Sequence, residues 1–154
     1  MSFVSEVQKV AKLYPDSRSA VLPALRLAQE EHSWLSREAL KEVAAALELT
    51  PAYCFGVASF YDMFHLEPIG RHTIEVCTNL SCALVGAQRV LDAFEHELGL
   101  QPGETSDDGE ITFRPVECLN ACGYAPAIAV DNRYRHHVRP EDVAAIVEEI
   151  RAGT

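Results

Sequence analysis

Two stretches decide the fold: HTIEVCTNLSC at residues 72–82 and ITFRPVECLNAC at residues 111–122. Residues 72–76 alternate in the manner of a strand, and ITFRPVE (111–117) gives a second one. Between them ALVGAQRVLDAFEHEL (83–98) has the spacing of an amphipathic helix, followed by the turn-rich loop GLQPGETSDDGE. A strand–helix–strand unit is normally a right-handed crossover that makes its strands parallel. Parallel strands end on the same edge of a sheet. Cys77 follows the first strand and Cys118 the second, so the topology is expected to bring Cys77-x4-Cys82 and Cys118-x3-Cys122 together across 35 intervening residues.

Downstream, PAIAVD (126–131) reads as a third strand, Asn132-Arg133 as a turn, and residues near 134–138 as a fourth strand. Pro140 opens a closing helix with Val143, Ile146, Val147 and Ile150 inward. Gly86 falls inside the 83–98 helix, where a glycine costs stability, and is read there as a point of close packing on the sheet.

Upstream the period is helical. Phe3, Val7, Val10 and Leu13 mark a helix over 3–13 that Tyr14-Pro15 stops. A second covers 18–32, with Val21, Leu22, Leu25 and Ala28 inward and Pro23 near its start. Ser36 caps a third that runs to about residue 48. Thr50-Pro51 begins a fourth, expected to contain Val57, Phe60 and Phe64. The fold class expected is therefore α+β: an N-terminal helical bundle over 1–70, then a cysteine-bearing domain over 71–154 with a mixed four-stranded sheet.

Charge divides at the same place. All three lysines lie before Gly70, where six bases face nine acids; residues 71–154 hold seven arginines and fourteen acids. The whole 154-residue chain is at −10, which gives direct nucleic-acid binding little electrostatic support. With 48% hydrophobic and 23% charged residues it has the composition of a globular protein, and no apolar run reaches the ~18–20 residues of a membrane span. The first twenty residues carry charges throughout and lack an apolar leader core, so a cytoplasmic location is expected.

In a reducing compartment two close cysteine pairs suit a four-thiolate metal centre better than structural disulfides. Structural zinc favours short CxxC knuckles. The wider x4 and x3 spacings, in loops leaving adjacent strands, suit two irons bridged by sulfide. Zinc and redox-active thiols remain the alternatives at this point, although no CxxC opens a helix.

The flanks narrow the choice. CTNLSC followed by ALVGA, then GETSDDGEITF and VECLNACGYAPAIAV, resembles the thioredoxin-like [2Fe–2S] subunit of respiratory NADH:quinone oxidoreductase (complex I). In the first half, YPDSRSAVLPALRLAQEEHSWLSREAL and GVASFYDMF resemble the helical region of that family. The resemblance implies a thioredoxin-like domain holding one [2Fe–2S] cluster on Cys77, Cys82, Cys118 and Cys122. It also implies a docking role for residues 1–70. The partner would be a flavoprotein subunit that binds FMN and NAD, with other subunits of the complex beyond it. The chain itself would have no catalytic residue, no activity alone and no membrane span, and would lie peripheral to the inner membrane through the complex. Related subunits of NAD-linked hydrogenases and formate dehydrogenases, or a free-standing thioredoxin-like ferredoxin, are the neighbouring readings. Consistently, the chain has no GxGxxG after a strand and no P-loop. It departs from the family at Asn120, where glycine is usual; asparagine is one of the few residues that tolerate a left-handed backbone.

Several other residues read as ordinary. Cys54 is expected to be a buried inert thiol. His136 and His137 are expected to be solvated or hydrogen-bonded on a strand, Phe60, Tyr61 and Phe64 to be packing residues, and Asp107-Asp108 to be a solvated turn. No lysine or arginine lies between Arg71 and Arg89 or between Arg114 and Arg133, so a low reduction potential near the ~−400 mV of plant-type ferredoxins is expected. Such a centre would buffer electrons rather than pass them on to quinone.

Overall fold

A computed structural model describes residues 3–153. The chain forms two compact units, divided after Pro68.

The first unit holds four helices: α1 (Phe3–Ala11), α2 (Val21–His32), α3 (Arg37–Leu47) and α4 (Pro51–Ala58). Local cap chemistry starts two of them as expected. The Ser36 hydroxyl accepts from the Ala39 N–H at 3.1 Å, and the Thr50 hydroxyl accepts from the Tyr53 N–H at 3.3 Å with Pro51 in the first turn. Phe3, Val7, Val21, Leu25, Leu40, Val43, Leu47 and Cys54 make the core.

Three expectations need correction. α1 stops at Ala11 and leaves Leu13 exposed. The second helix begins as a single 3-10 turn, Ser17–Ala20, under an Asp16 cap, and Leu22 is exposed. The buried positions of α2 are Val21, Ala24, Leu25 and Ala28, so Leu22 stands about 100° off the inward stripe. α4 ends at Ala58 instead of reaching Phe64, and Phe60 is 78% exposed although Phe64 is buried. The Gln29 side chain takes the following segment: it donates to the Met63 carbonyl at 2.9 Å and accepts from the His65 N–H at 2.7 Å. Those backbone groups therefore have partners outside a helix.

The second unit contains β1 (His72–Cys77), α5 (Leu80–Leu84), α6 (Ala87–Leu98), β2 (Ile111–Val116), β3 (Ile128–Val130), β4 (Arg133–Arg135) and α7 (Val143–Arg151). Its single sheet has the order β2-β1-β3-β4. β1 and β2 are parallel, as the crossover argument requires, and β3 and β4 continue antiparallel, which makes the sheet mixed. β2 is an edge strand, the place where Pro115 is tolerated. Ile74, Val76, Ile111, Phe113, Ile128 and Val130 bury one face of the sheet under Val90 and Phe94 of α6 and Val143, Ile146, Val147 and Ile150 of α7. Phe94 and Phe113 meet with ring centroids 5.8 Å apart.

Here too the sequence reading is adjusted at particular residues. The 83–98 helix is two helices, because Gly86 has φ +102° and stands as the N-cap of α6. A Cβ at Gly86 would meet the Arg89 guanidinium at 2.8 Å, so the glycine serves a break in the chain and not close packing on the sheet. The β3–β4 turn falls on Asp131-Asn132, with φ +49° and +63°, and Arg133 already belongs to β4. His136 and His137 lie past that strand: His137 turns left-handed at φ +52°, which ends the extended run. Asp107 and Asp108 are exposed in a turn, as expected.

Candidate cluster site

The register of the parallel pair places the thiols. Cys77 is the last residue of β1 and stands opposite Val116, the last residue of β2; Cys118 follows two residues later. Thr78 ties the two strand ends, its N–H and its hydroxyl donating to the Val116 carbonyl at 3.0 and 3.1 Å. On the other side the Cys77 N–H donates to the Ala127 carbonyl at 3.2 Å. α5 then lifts Cys82 back to this edge, where Cys77 and Cys82 pack with Ala87, Ala121 and Ala127. These two thiols are buried, whereas Cys118 and Cys122 are exposed.

The second loop is shaped by Asn120. Its φ of +55° is the left-handed conformation that its side chain tolerates, and its N–H donates to Cys118 Sγ at 3.3 Å. A short 3-10 turn, Cys122–Tyr124, follows, and the Tyr124 ring stacks on His136 with centroids 4.6 Å apart. His137 reaches the Ala125 carbonyl through Nδ1 at 3.3 Å. Both histidines are exposed.

None of the five cysteines is in a disulfide. Burial pushes the Cys82 thiol up from its ordinary pKa; a backbone hydrogen bond with Ala127 opposes this, while Cys77 and Cys122 nearby push it further up. Cys54 is also pushed up, by burial alone, and lies in the core of the helical unit, outside the group of residues at this edge. Among the described residues no three His, Cys, Asp or Glu side chains gather as they would round one metal ion. Two thiol pairs in loops at one edge, with a backbone N–H turned to sulfur, are a donor set that fits a two-iron cluster.

Two features escaped the sequence reading. One is an apolar set round the thiol edge: Leu80 and Leu84 are 70% and 78% exposed, and Val85 and Tyr124 are more than half exposed. The other is an ion pair between Glu75 and Arg114 on neighbouring strands. Its only signal would have been the register of β1 on β2.

A mixed sheet with helices on one face and cysteine pairs at the end of its parallel strands defines a small ferredoxin-like electron carrier of thioredoxin-like architecture. Residues 7–151 match the thioredoxin-like [2Fe–2S] ferredoxin family, and the chain belongs to that family. It is accordingly a protein of one [2Fe–2S] cluster. Among its relatives, a subunit of the NADH-quinone oxidoreductase of Rhizobium meliloti is 41% identical over 153 residues, covering 99% of this chain and 91% of that one. The corresponding NADH-quinone oxidoreductase subunit of Mycobacterium tuberculosis is 38% identical over 149 residues, 97% of this chain but 59% of that one. An NAD+-reducing [NiFe]-hydrogenase in its air-oxidized state shares the fold, with TM-score 0.73 and 24% identity over 84% of this chain and 23% of the hydrogenase chain.

Proposed function

We infer that the chain is the [2Fe–2S] electron-transfer subunit of an NADH:quinone oxidoreductase, seated beside the flavin of a partner subunit that oxidises NADH. The observation that carries this reading is the 41% identity to the Rhizobium meliloti oxidoreductase subunit over 99% of the chain. The likeness to the hydrogenase, at 24% identity, is one of fold and supports the alternative less.

In this reading Cys77 and Cys82 hold one iron, and Cys118 and Cys122 the other. A cluster held there would supply one-electron transfer. The chain's own residues do the rest. The β1–β2 register fixes the distance between the loops, Thr78 locks the strand ends, and Asn120 turns an amide toward sulfur. None of these residues binds a nucleotide, and FMN and NAD belong to the partner. The exposed Leu80, Leu84, Val85 and Tyr124 suit a surface that the partner covers, keeping water from the cluster. Docking falls to the helical residues 1–70 as well, where Phe55, Phe60 and Met63 are left exposed. No helix among the described residues is long and apolar enough to cross a membrane; attachment to the cytoplasmic face of the inner membrane would come through other subunits.

Alanine at Cys77, Cys82, Cys118 or Cys122 should abolish or destabilise the visible and EPR signals and lower iron and acid-labile sulfide, whereas Cys54→Ala should leave all four measures intact. Loss of the cluster on Cys54→Ala with the fold retained would overturn the ligand assignment. A colourless chain with stoichiometric zinc and no sulfide after anaerobic expression would overturn the redox reading.

A further inference from the structure

A cleft of about 490 Å³ opens between the start of α6, the Ala125-Pro126 segment that follows the second cysteine loop, and residues 137–141. Its walls carry two arginines, Arg89 and Arg139, and one acid, Glu141. His137, also in the wall, is held to the Ala125 carbonyl. The Arg89 guanidinium lies over Gly86, where a Cβ would come within 2.8 Å of Nη2; glycine leaves it the room. Arg89 is exposed, and its side chain makes neither a hydrogen bond nor an ion pair with another described residue. Arg139 comes only within 3.9 Å of Glu141, with the two side chains 73% and 68% exposed.

Val85 lines this cleft and also belongs to the apolar rim of the thiol edge. A partner that covers the rim therefore lies over the mouth of the cleft. Residues 71–154 hold seven arginines against fourteen acids, and two of the seven line this one cleft. Closing protein over an unpaired guanidinium strips its water, which is costly unless a carboxylate takes the place of that water. Arg89 offers the planar fork that a carboxylate accepts from in two parallel bonds.

We propose that the Arg89–Arg139 cleft is the charged part of the surface on which the flavoprotein docks: it receives an aspartate or glutamate side chain of the partner, next to an apolar patch that meets Leu84 and Val85. This rests on the reading that the partner covers the thiol edge. The apolar rim supplies contact area without direction. The cleft lies to one side of the rim, so a carboxylate seated in it fixes how the cluster edge is turned toward the partner.

The test is binding of the full cluster-loaded chain to the purified flavoprotein subunit of its complex, at low and at high salt, with iron and sulfide measured on each sample. Arg89→Glu should bind about tenfold or more weakly at low salt, with the gap to the parent shrinking as salt screens the charges. Glutamate suits the first turn of a helix, so folding is kept. Arg151→Glu is the control for bulk charge. It makes the same change beside Leu98, the last residue of α6, at the end away from Gly86, and should bind within about twofold of the parent. Arg89→Glu that binds like Arg151→Glu, or a loss that salt does not reduce, overturns the proposal. If Arg89→Glu lowers iron or sulfide, the milder R89Q/R139Q serves, since the Arg139 main-chain N–H keeps its bond to Asp142 at 2.8 Å; parent-like binding by that variant overturns the proposal. A parent chain that binds no flavoprotein overturns the reading beneath the proposal and the proposal with it, a result distinct from parent and variants binding alike.

Discussion

Substituting Asn120 by glycine, alanine and valine in turn tests whether the second cysteine loop depends on a left-handed residue. Asn120 has φ +55°, and its N–H donates to Cys118 Sγ at 3.3 Å. A left-handed backbone costs an ordinary L-residue about 1–2 kcal/mol, while glycine pays nothing of this kind and asparagine less than most. The β-branched valine sits at the costly end, since its branched Cβ crowds the carbonyl next to it. The expected order of stability is therefore glycine at least equal to asparagine, then alanine, then valine, with valine about 1–2 kcal/mol below the parent. In a domain of this size each kcal/mol lowers Tm by about 4–8 °C. If the strain is released as the loop opens, the same energy corresponds to a factor of about 5–30 in cluster loss. Circular dichroism melting gives the first quantity, and decay of the visible absorbance under excess iron chelator gives the second. A valine variant that melts with the parent and keeps its cluster as long would refute the conformational argument. So would a glycine variant that loses its cluster faster than the valine one.

Three further outcomes follow from the same geometry. The Asp108 carboxyl is held below the ordinary carboxylate range, first by the Ser106 hydroxyl at 2.5 Å and then by the Glu110 N–H at 3.0 Å. Its contribution is therefore complete above about pH 4 and fades as pH falls through the depressed native value; urea unfolding should show parent and Asp108→Asn differing equally at pH 5 and pH 8, and converging at more acid pH. The cluster midpoint should lie near the ~−400 mV of plant-type centres, because the thiol loops contain no lysine or arginine and Arg114 is offset by Glu75; a value above about −200 mV refutes this. Removing residues 1–68 should leave a unit that still loads iron and sulfide but no longer co-purifies with its flavoprotein partner, and normal assembly of the shortened chain would take docking away from the helices.

Much of the site was legible because it follows from chain order and local rules. Right-handed crossover makes β1 and β2 parallel, parallel strands share an edge, and the cysteines sit at their ends. The starts of α3 and α4 were legible for a similar reason: Ser36 and Thr50 bond amides within three residues of themselves. Asn120 belongs here too, since its tolerance of positive φ is intrinsic to the residue. The end of α4 was not legible, because the groups that compete for its continuation are on Gln29, more than thirty residues upstream. The Glu75–Arg114 pair was hidden likewise. Opposite charges on two separate strands mean nothing until the register sets them side by side.

The apolar rim of the thiol edge shows how a single backbone angle can reverse a reading. Over 83–98 the apolar residues recur at helical spacing, and a continuous helix would give Leu84 a fixed phase relative to Val90, Leu91 and Phe94. Gly86 at φ +102° breaks that phase. Val90, Leu91 and Phe94 stay buried on α6, while Leu84 on α5 and Val85 at its end turn outward, with Leu80 one helical turn before Leu84 on the same side. Cys82 is placed upstream of the break, by the Asn79-capped first turn of α5, and packs in one group with Cys77. Positive φ at one glycine thus sets the exposed apolar rim beside the thiol pair. The rim could not be separated from an ordinary amphipathic helix by periodicity alone, because glycine inside a helical pattern and glycine at a left-handed break look identical until the chain is folded.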